Sequence, residues 1–221
     1  MSTASPTLVL ATGAVALAAV VFRPLWALTG HLATAMHEGG HALVAMAVGR
    51  RVTGVRLHAD RSGLTHHLGD QRGAGRVAIA VAGYPAPSLI GLGCAALLAT
   101  GRGALAPLLL GVLAMAGMLL LVRNAFGALW VLVAGALLVA VAYRAVPQVQ
   151  LAVAYTLTWF LLFSGVRGVA ELHAVRRVDR TGRSDADQLR RLTHVPAPVW
   201  VAGFAALSLG SVALAARWLL S

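Results

Sequence analysis

The 221-residue sequence contains no lysine, one cysteine and two glutamates. Acidic residues total 7 against 18 basic ones, all arginine, and charged residues make up only 11% of the chain. The lone cysteine, Cys94, excludes an internal disulfide and a CxxC zinc site, and its apolar surroundings mark it as a small core residue. Scarce charge with 59% hydrophobic residues and a mean hydropathy of +0.80 excludes both a disordered chain and an ordinary cytosolic globule. A domain of this size could not bury that much apolar surface. A formal charge of +11 would suggest nucleic acid in a soluble protein. Here no basic amphipathic scaffold or interleaved aromatics accompany the arginines, so no nucleic-acid partner is expected. They read instead as topology signals and contacts to the anionic head groups of a lipid bilayer.

Apolar windows near twenty residues predict membrane helices at about 7–22, 25–48, 77–100, 104–122, 125–143, 149–170 and 196–220. The fold class expected is therefore an all-α polytopic membrane protein with about six to seven transmembrane helices, the lower number applying if the first segment lies in the interface. That first segment has no basic leading region and no convincing cleavage site, so it reads as a retained span. The chain is expected to form one integral membrane domain over 1–221. Six arginines fall in 49–76 and another six in 171–195. Four expected spans separate these loops, so both belong on one face, and their arginine excess makes that face cytoplasmic. Within 49–76, alternating stretches flank Asp60-Arg61-Ser62-Gly63, which predicts a short cytoplasmic β-hairpin.

The second apolar segment carries Thr29, His31, Thr34, His37, Glu38 and His41 at its centre. His37-Glu38-Gly39-Gly40-His41 is an HExxH pattern, in which residues four apart share a helix face and can present two imidazoles to one zinc. Glu38 lies next to that pair, where it can take a proton from water. A shuffle of these residues would produce the pattern in about three sequences per thousand. Ionisable groups in an apolar helix cost a few kcal/mol each unless a partner or a wet cavity receives them, and a metal ion offsets that cost. His31 lies about 120° around the helix from His37 and is expected to face another helix or a wet cavity. Of His66 and His67, adjacent on a strand, at most one can join a site, and both are expected to be solvated residues of the hairpin. His58 and His194 read as surface residues. The run Gly83-Tyr84-Pro85-Ala86-Pro87 predicts a kink, or a break beside a metal that admits water or an unwound substrate.

Thr34-Ala-Met-His37-Glu-Gly-Gly-His41-Ala-Leu in a span, then Gly49-Arg-Arg-Val with an arginine-rich hairpin, then Ala82-Gly83-Tyr84-Pro85-Ala86-Pro87, together resemble the site-2 protease family of intramembrane zinc metalloproteases in a compact bacterial form. The resemblance covers most of the chain, with HExxH as its strong motif. It implies Zn²⁺ held by His37 and His41, Glu38 as the catalytic acid/base, a membrane-protein substrate, and a place in a bacterial-type plasma membrane. Two departures stand out. The family's helix carries a bulky residue where Gly39 stands, and each glycine here loosens the helix by roughly 1 kcal/mol relative to alanine. The family's third ligand is an aspartate in an Asn-Pro-Asp-Gly or Leu-Asp-Gly motif, and neither is present. Its closest match, Asn124-Ala-Phe-Gly127, has phenylalanine where the aspartate belongs, and all five aspartates (Asp60, Asp70, Asp179, Asp185, Asp187) lie outside the expected spans. Similarity of the stretch around Ser184-Asp-Ala-Asp to the one preceding the family's final span favours Asp185 as the third metal ligand, with Ser184 as a helix N-cap. Asp187, Glu171, His173 and Asn124 remain alternatives.

The function expected is a membrane-embedded zinc metalloendopeptidase that hydrolyses peptide bonds in or near transmembrane segments. An edge of the hairpin could pair with an unwound substrate by strand addition. The alternative is a catalytically inactive, protease-like membrane scaffold or regulator. A di-iron histidine-box enzyme needs more histidine clusters than the one pair found in a span, and a transporter would be expected to show an inverted repeat. Oligomeric state is open.

Overall fold

The computed structural model describes residues 4–70, 72–178 and 182–220. Among them the chain forms nine helices and one hairpin, in the order α1 (Pro6–Val21), α2 (Arg23–Ala47), β1 (Val52–Leu57), β2 (Gly63–His67), α3 (Gly73–Ala82), α4 (Pro85–Ala99), α5 (Leu105–Leu121), α6 (Ala125–Arg144), α7 (Pro147–Val178), α8 (Asp185–Thr193) and α9 (Ala197–Leu220).

Two pairs of successive helices are sharply bent, the second at the Gly83–Pro87 run where a kink was expected. Helices α1 and α2 meet at 98° and α3 and α4 at 64°. Phe22, in extended conformation, ends α1, and Pro24 sits in the first turn of α2, where its missing N–H costs nothing. Arg167 of α7 donates to the carbonyls of Val20 and Val21 that the bend leaves without helical partners. At the second break, Pro85 and Pro87 open α4 after Gly83 and Tyr84. By length and apolarity three helices, α6, α7 and α9, can each cross a membrane. The number rises to five if each bent pair is one span, and α5, at 17 residues, is a shorter apolar helix. Against the six to seven spans expected, these figures differ because α1 and α2 count as one bent pair and because α5 is too short to be counted.

The hairpin pairs β1 with β2 antiparallel, Leu57 opposite Gly63 and Val55 opposite Thr65. Its outer β1 edge is occupied by the α5–α6 connection. The Arg123 N–H donates to the Val55 carbonyl at 2.9 Å, and the Asn124 amide accepts from Leu57 N–H at 3.1 Å and donates to its carbonyl at 2.7 Å. The expected loop over 171–195 is not all loop. Helix α7 continues to Val178, and α8 follows after Ser184.

Two apolar clusters hold the assembly. The larger joins α1, α2, α4–α7 and the end of α9 to Val55 and Leu57 of the hairpin. The smaller, with Ala80, Val169, Leu172, Ala186, Leu189 and Phe204, seats α8 against α3, α7 and α9. Ala186 and Leu189 are fully buried, so apolar packing rather than chain continuity decides where the start of α8 lies. Leu28, Leu113, Leu120 and Leu137 are largely exposed, as suits helices bathed in lipid.

Candidate metal centre

His37 and His41 project from one face of α2, their rings edge to face with centroids 4.7 Å apart. Their Nε2 atoms lie 3.1 Å from each other, and Oδ2 of Asp185, the first residue of α8, lies 3.3 Å from His37 Nε2 and 3.2 Å from His41 Nε2. These separations resemble the roughly 3.3 Å expected between ligands at about 2.0–2.1 Å from a tetrahedral zinc. His41 Nδ1 donates to the Ile79 carbonyl at 2.7 Å, which leaves Nε2 as a lone pair turned towards the cluster. Facing acceptors at such distances repel unless a cation lies among them. The donor set therefore fits a metal ion, and the His37, His41 and Asp185 cluster could hold one.

Three glycines make room for this geometry. A Cβ on Gly83, at the α3–α4 break, would lie 2.6 Å from His37 Nε2 and 2.5 Å from His41 Nε2, so the absent side chain is the space the centre uses. On Gly40 it would meet the Ala82 carbonyl at 2.7 Å, which explains one glycine of the pair in α2 as a close helix crossing. On Gly63 it would meet Glu38 Cγ at 2.6 Å. Glu38 is buried, and its Oε2 accepts from the Thr65 hydroxyl at 2.6 Å. Thr65 also lies 3.1 Å from the Glu38 carbonyl. Tyr84 presses its ring against His37, centroids 4.7 Å apart, and stacks on Phe204.

Asp185 stands here because α8 is capped and tethered. Ser184 caps the helix through the Asp187 N–H, and Asp187 accepts from the Ser184 hydroxyl at 2.6 Å while pairing with Arg176 of α7. The Asp187 carboxyl is held below the ordinary carboxylate range, burial opposing and the hydrogen bonds and charge of Ser184 and Arg176 prevailing.

Of the other candidate ligands, Asp187 is engaged as described, and His173 is exposed. Glu171 accepts from Trp26 Nε1 at 2.9 Å and Arg167 Nε at 3.0 Å, with Arg61 at 3.6 Å. Asn124 braces the hairpin. Asp60 and Asp70 hold turns with Ser62 and Arg72, and Asp179 lies outside the described residues. His31 is buried against Phe126 and Trp130 of α6. His58, His66 and His194 are exposed, whereas His67 faces the centre's cavity. Sequence reasoning missed Thr65. The signal available was its position two residues from Gly63, on the same face of one strand.

Two cavities meet at the centre, both lined by His37, Glu38, Gly63 and Tyr84. One, of about 300 Å³, continues to His67, Arg76 and Gln188. The other, of about 490 Å³, continues to Trp26, Pro87 and Leu172.

Apolar spanning helices around a His/His/Asp cluster, with a buried glutamate beside it and cavities leading to it, define an integral membrane protein of the metallopeptidase kind. Residues 10–215 match the family model described as Peptidase M50B-like. The chain belongs to that family, in keeping with its resemblance to the site-2 proteases. No curated protein and no solved structure matches the chain.

Proposed function

We propose that the chain is a membrane-embedded zinc metalloendopeptidase that hydrolyses peptide bonds in or near transmembrane segments of membrane-protein substrates. The observation that carries this reading is the approach of Asp185 to within 3.3 Å of both HExxH imidazoles, with Glu38 on the next helix position. His37, His41 and Asp185 would hold the zinc. When bound, the metal supplies a Lewis acid that lowers the pKa of water and favours charge developing on a carbonyl oxygen. Glu38 takes the proton from the attacking water and returns it to the leaving amine. The Thr65 hydroxyl on Oε2 fixes the carboxylate and leaves Oε1 for the proton.

Substrate backbone would bind along β2. The Ser62 carbonyl accepts from the His58 N–H, so alternation along the antiparallel pair turns the backbone groups of Gly63 and Thr65 away from β1. The residues opposite them, Leu57 and Val55, spend theirs on Asn124 and Arg123. That leaves β2 as the open edge, lying in the cavity of Glu38 and suited to strand addition. Both arginine-rich segments contribute to one site, hairpin and α8 together, which favours a common, cytoplasmic face in a bacterial-type plasma membrane.

The test is zinc content and proteolysis measured side by side in detergent-purified protein. Wild type should hold about one zinc per chain, and His37→Ala and Asp185→Ala should each lose most of it. Glu38→Gln should keep the metal but lose about 10²–10⁴-fold in turnover. Equal processing by Glu38→Gln and wild type would instead indicate a scaffold.

A further inference from the structure

Beyond His67 the smaller cavity is lined by Arg76 and Gln188. Arg50 Nη1, His67 Nδ1 and Gln188 Nε2 are buried with no hydrogen-bond partner. Arg76 Nη1 approaches His67 Nε2 at 2.6 Å, and Arg76, Gln188 and Arg191 line an adjoining pocket of about 210 Å³. Arg50 is fixed where α2 ends: Gly49, in the left-handed region at φ +76, turns the chain, and the Arg50 N–H donates to the Ala45 carbonyl at 2.8 Å. Its guanidinium then lies against the first turn of α3, since a Cβ on Gly75 would be 3.6 Å from Nη2. None of the ion pairs among the described residues involves Arg50, Arg76 or Arg191. Asp185, the carboxylate whose charge acts on Arg76, already lies against the two imidazoles.

Such a group of donors needs an anion, and the planar fork of an arginine suits a carboxylate in particular. A lipid phosphate would satisfy the charge as well, but His67, Arg76 and Gln188 line the same cavity as His37, Glu38 and His41, which favours a ligand that also reaches the centre. Strand β2 leads from Gly63, beside Glu38, to His67, beside Arg76. At about 3.3 Å per residue, a peptide lying along that edge brings a group to Arg76 within about four residues of the bond over Glu38.

We propose that Arg76 and Arg50, with His67 and Gln188, form a subsite for a peptide carboxylate, so that the enzyme selects substrates carrying an acidic side chain or a free C-terminus within about four residues of the scissile bond. This rests on the peptidase reading and names its substrate class.

The experiment measures binding of fluorescein-labelled apolar peptides to zinc-loaded Glu38→Gln protein in phosphatidylcholine nanodiscs, so that hydrolysis is not the readout. Peptide pairs differ only in Glu against Gln at one position, or in a C-terminal acid against its amide, which separates the two sources of carboxylate. At least one pair should show about tenfold tighter binding of the acid, and adding Arg76→Gln or Arg50→Gln should bring that ratio towards one with zinc still bound. Equal binding of acid and amide in every pair, or a preference that survives both substitutions, overturns the subsite. So does an Arg76-dependent response to phosphatidylglycerol in the disc without any peptide preference, which would assign the cluster to a lipid head group. Hydrolysis by the parent protein is scored separately. Hydrolysis without acid preference sinks only this inference, and acid preference without hydrolysis sinks only the peptidase reading.

Discussion

A methyl group at position 83 would occupy the space that the two imidazoles and the Asp185 carboxylate face. Gly83→Ala should therefore lower zinc affinity by at least about tenfold, the size of effect usual for disturbing the surroundings of a metal. Calorimetric titration would measure it, with helicity by circular dichroism unchanged. Thr65 offers a subtler test, because valine keeps its shape while removing the hydroxyl that Glu38 accepts from. Thr65→Val should retain zinc and reduce turnover by about tenfold or more, since a misplaced acid/base loses part of its 10²–10⁴-fold contribution. Undiminished turnover would show that Thr65 does not position Glu38. At this scale the sequence was informative about His37, Glu38 and His41, where chemistry follows helical spacing, and silent about Thr65 and the vacancy at Gly83. Those depend on which strand and which break pack against α2.

Helix α8 decides whether the pair of histidines has a third partner. Its register is set by the Ser184 cap, by buried Ala186 and Leu189, and by the Asp187 pair with Arg176. Because the Asp187 carboxyl lies below its ordinary value in the folded chain, the stability it contributes is fully present above the unfolded value of about 3.9 and is lost as pH falls through the depressed folded one. Wild type should thus lose α8 docking on acidification. Asp187→Asn should be less stable than wild type above about pH 5 and converge with it in acid. Thermal unfolding in detergent between pH 3 and pH 7 tests this, and a constant difference across the range would refute it. Ser184→Ala should cost about 1 kcal/mol through loss of the cap. The hairpin was readable from alternation and turn residues. What braces it was not: Asn124, weighed as a metal ligand, instead pairs with the Leu57 backbone 67 positions away in sequence.

For the whole molecule, arginines also do local work within the fold. Arg167 bridges the α1–α2 bend to Glu171 and lies 4.5 Å over the Trp26 ring, and the Arg61 guanidinium lies 5.6 Å from the centroid of the same ring. Topology can be tested with single cysteines, since Cys94 is buried. A cysteine at Asp70 should react with a membrane-impermeant maleimide only from the cytoplasmic side, and one at Arg102 only from the opposite side. The reverse pattern would invert the proposed orientation.

Composition and spacing by themselves determined that the chain is a membrane protein, that its basic segments cluster in two places, and that His37, Glu38 and His41 share a helix, because these follow from short-range periodicity and the solvent around it. Only the tertiary structure decided that Asp185 rather than Asp187, Glu171, His173 or Asn124 meets the imidazoles, that α1 and α2 form one sharply bent pair, and that β2 presents the open edge. These outcomes are set by long-range packing: by where buried Ala186 and Leu189 seat α8, and by how closely the Gly83 break approaches α2.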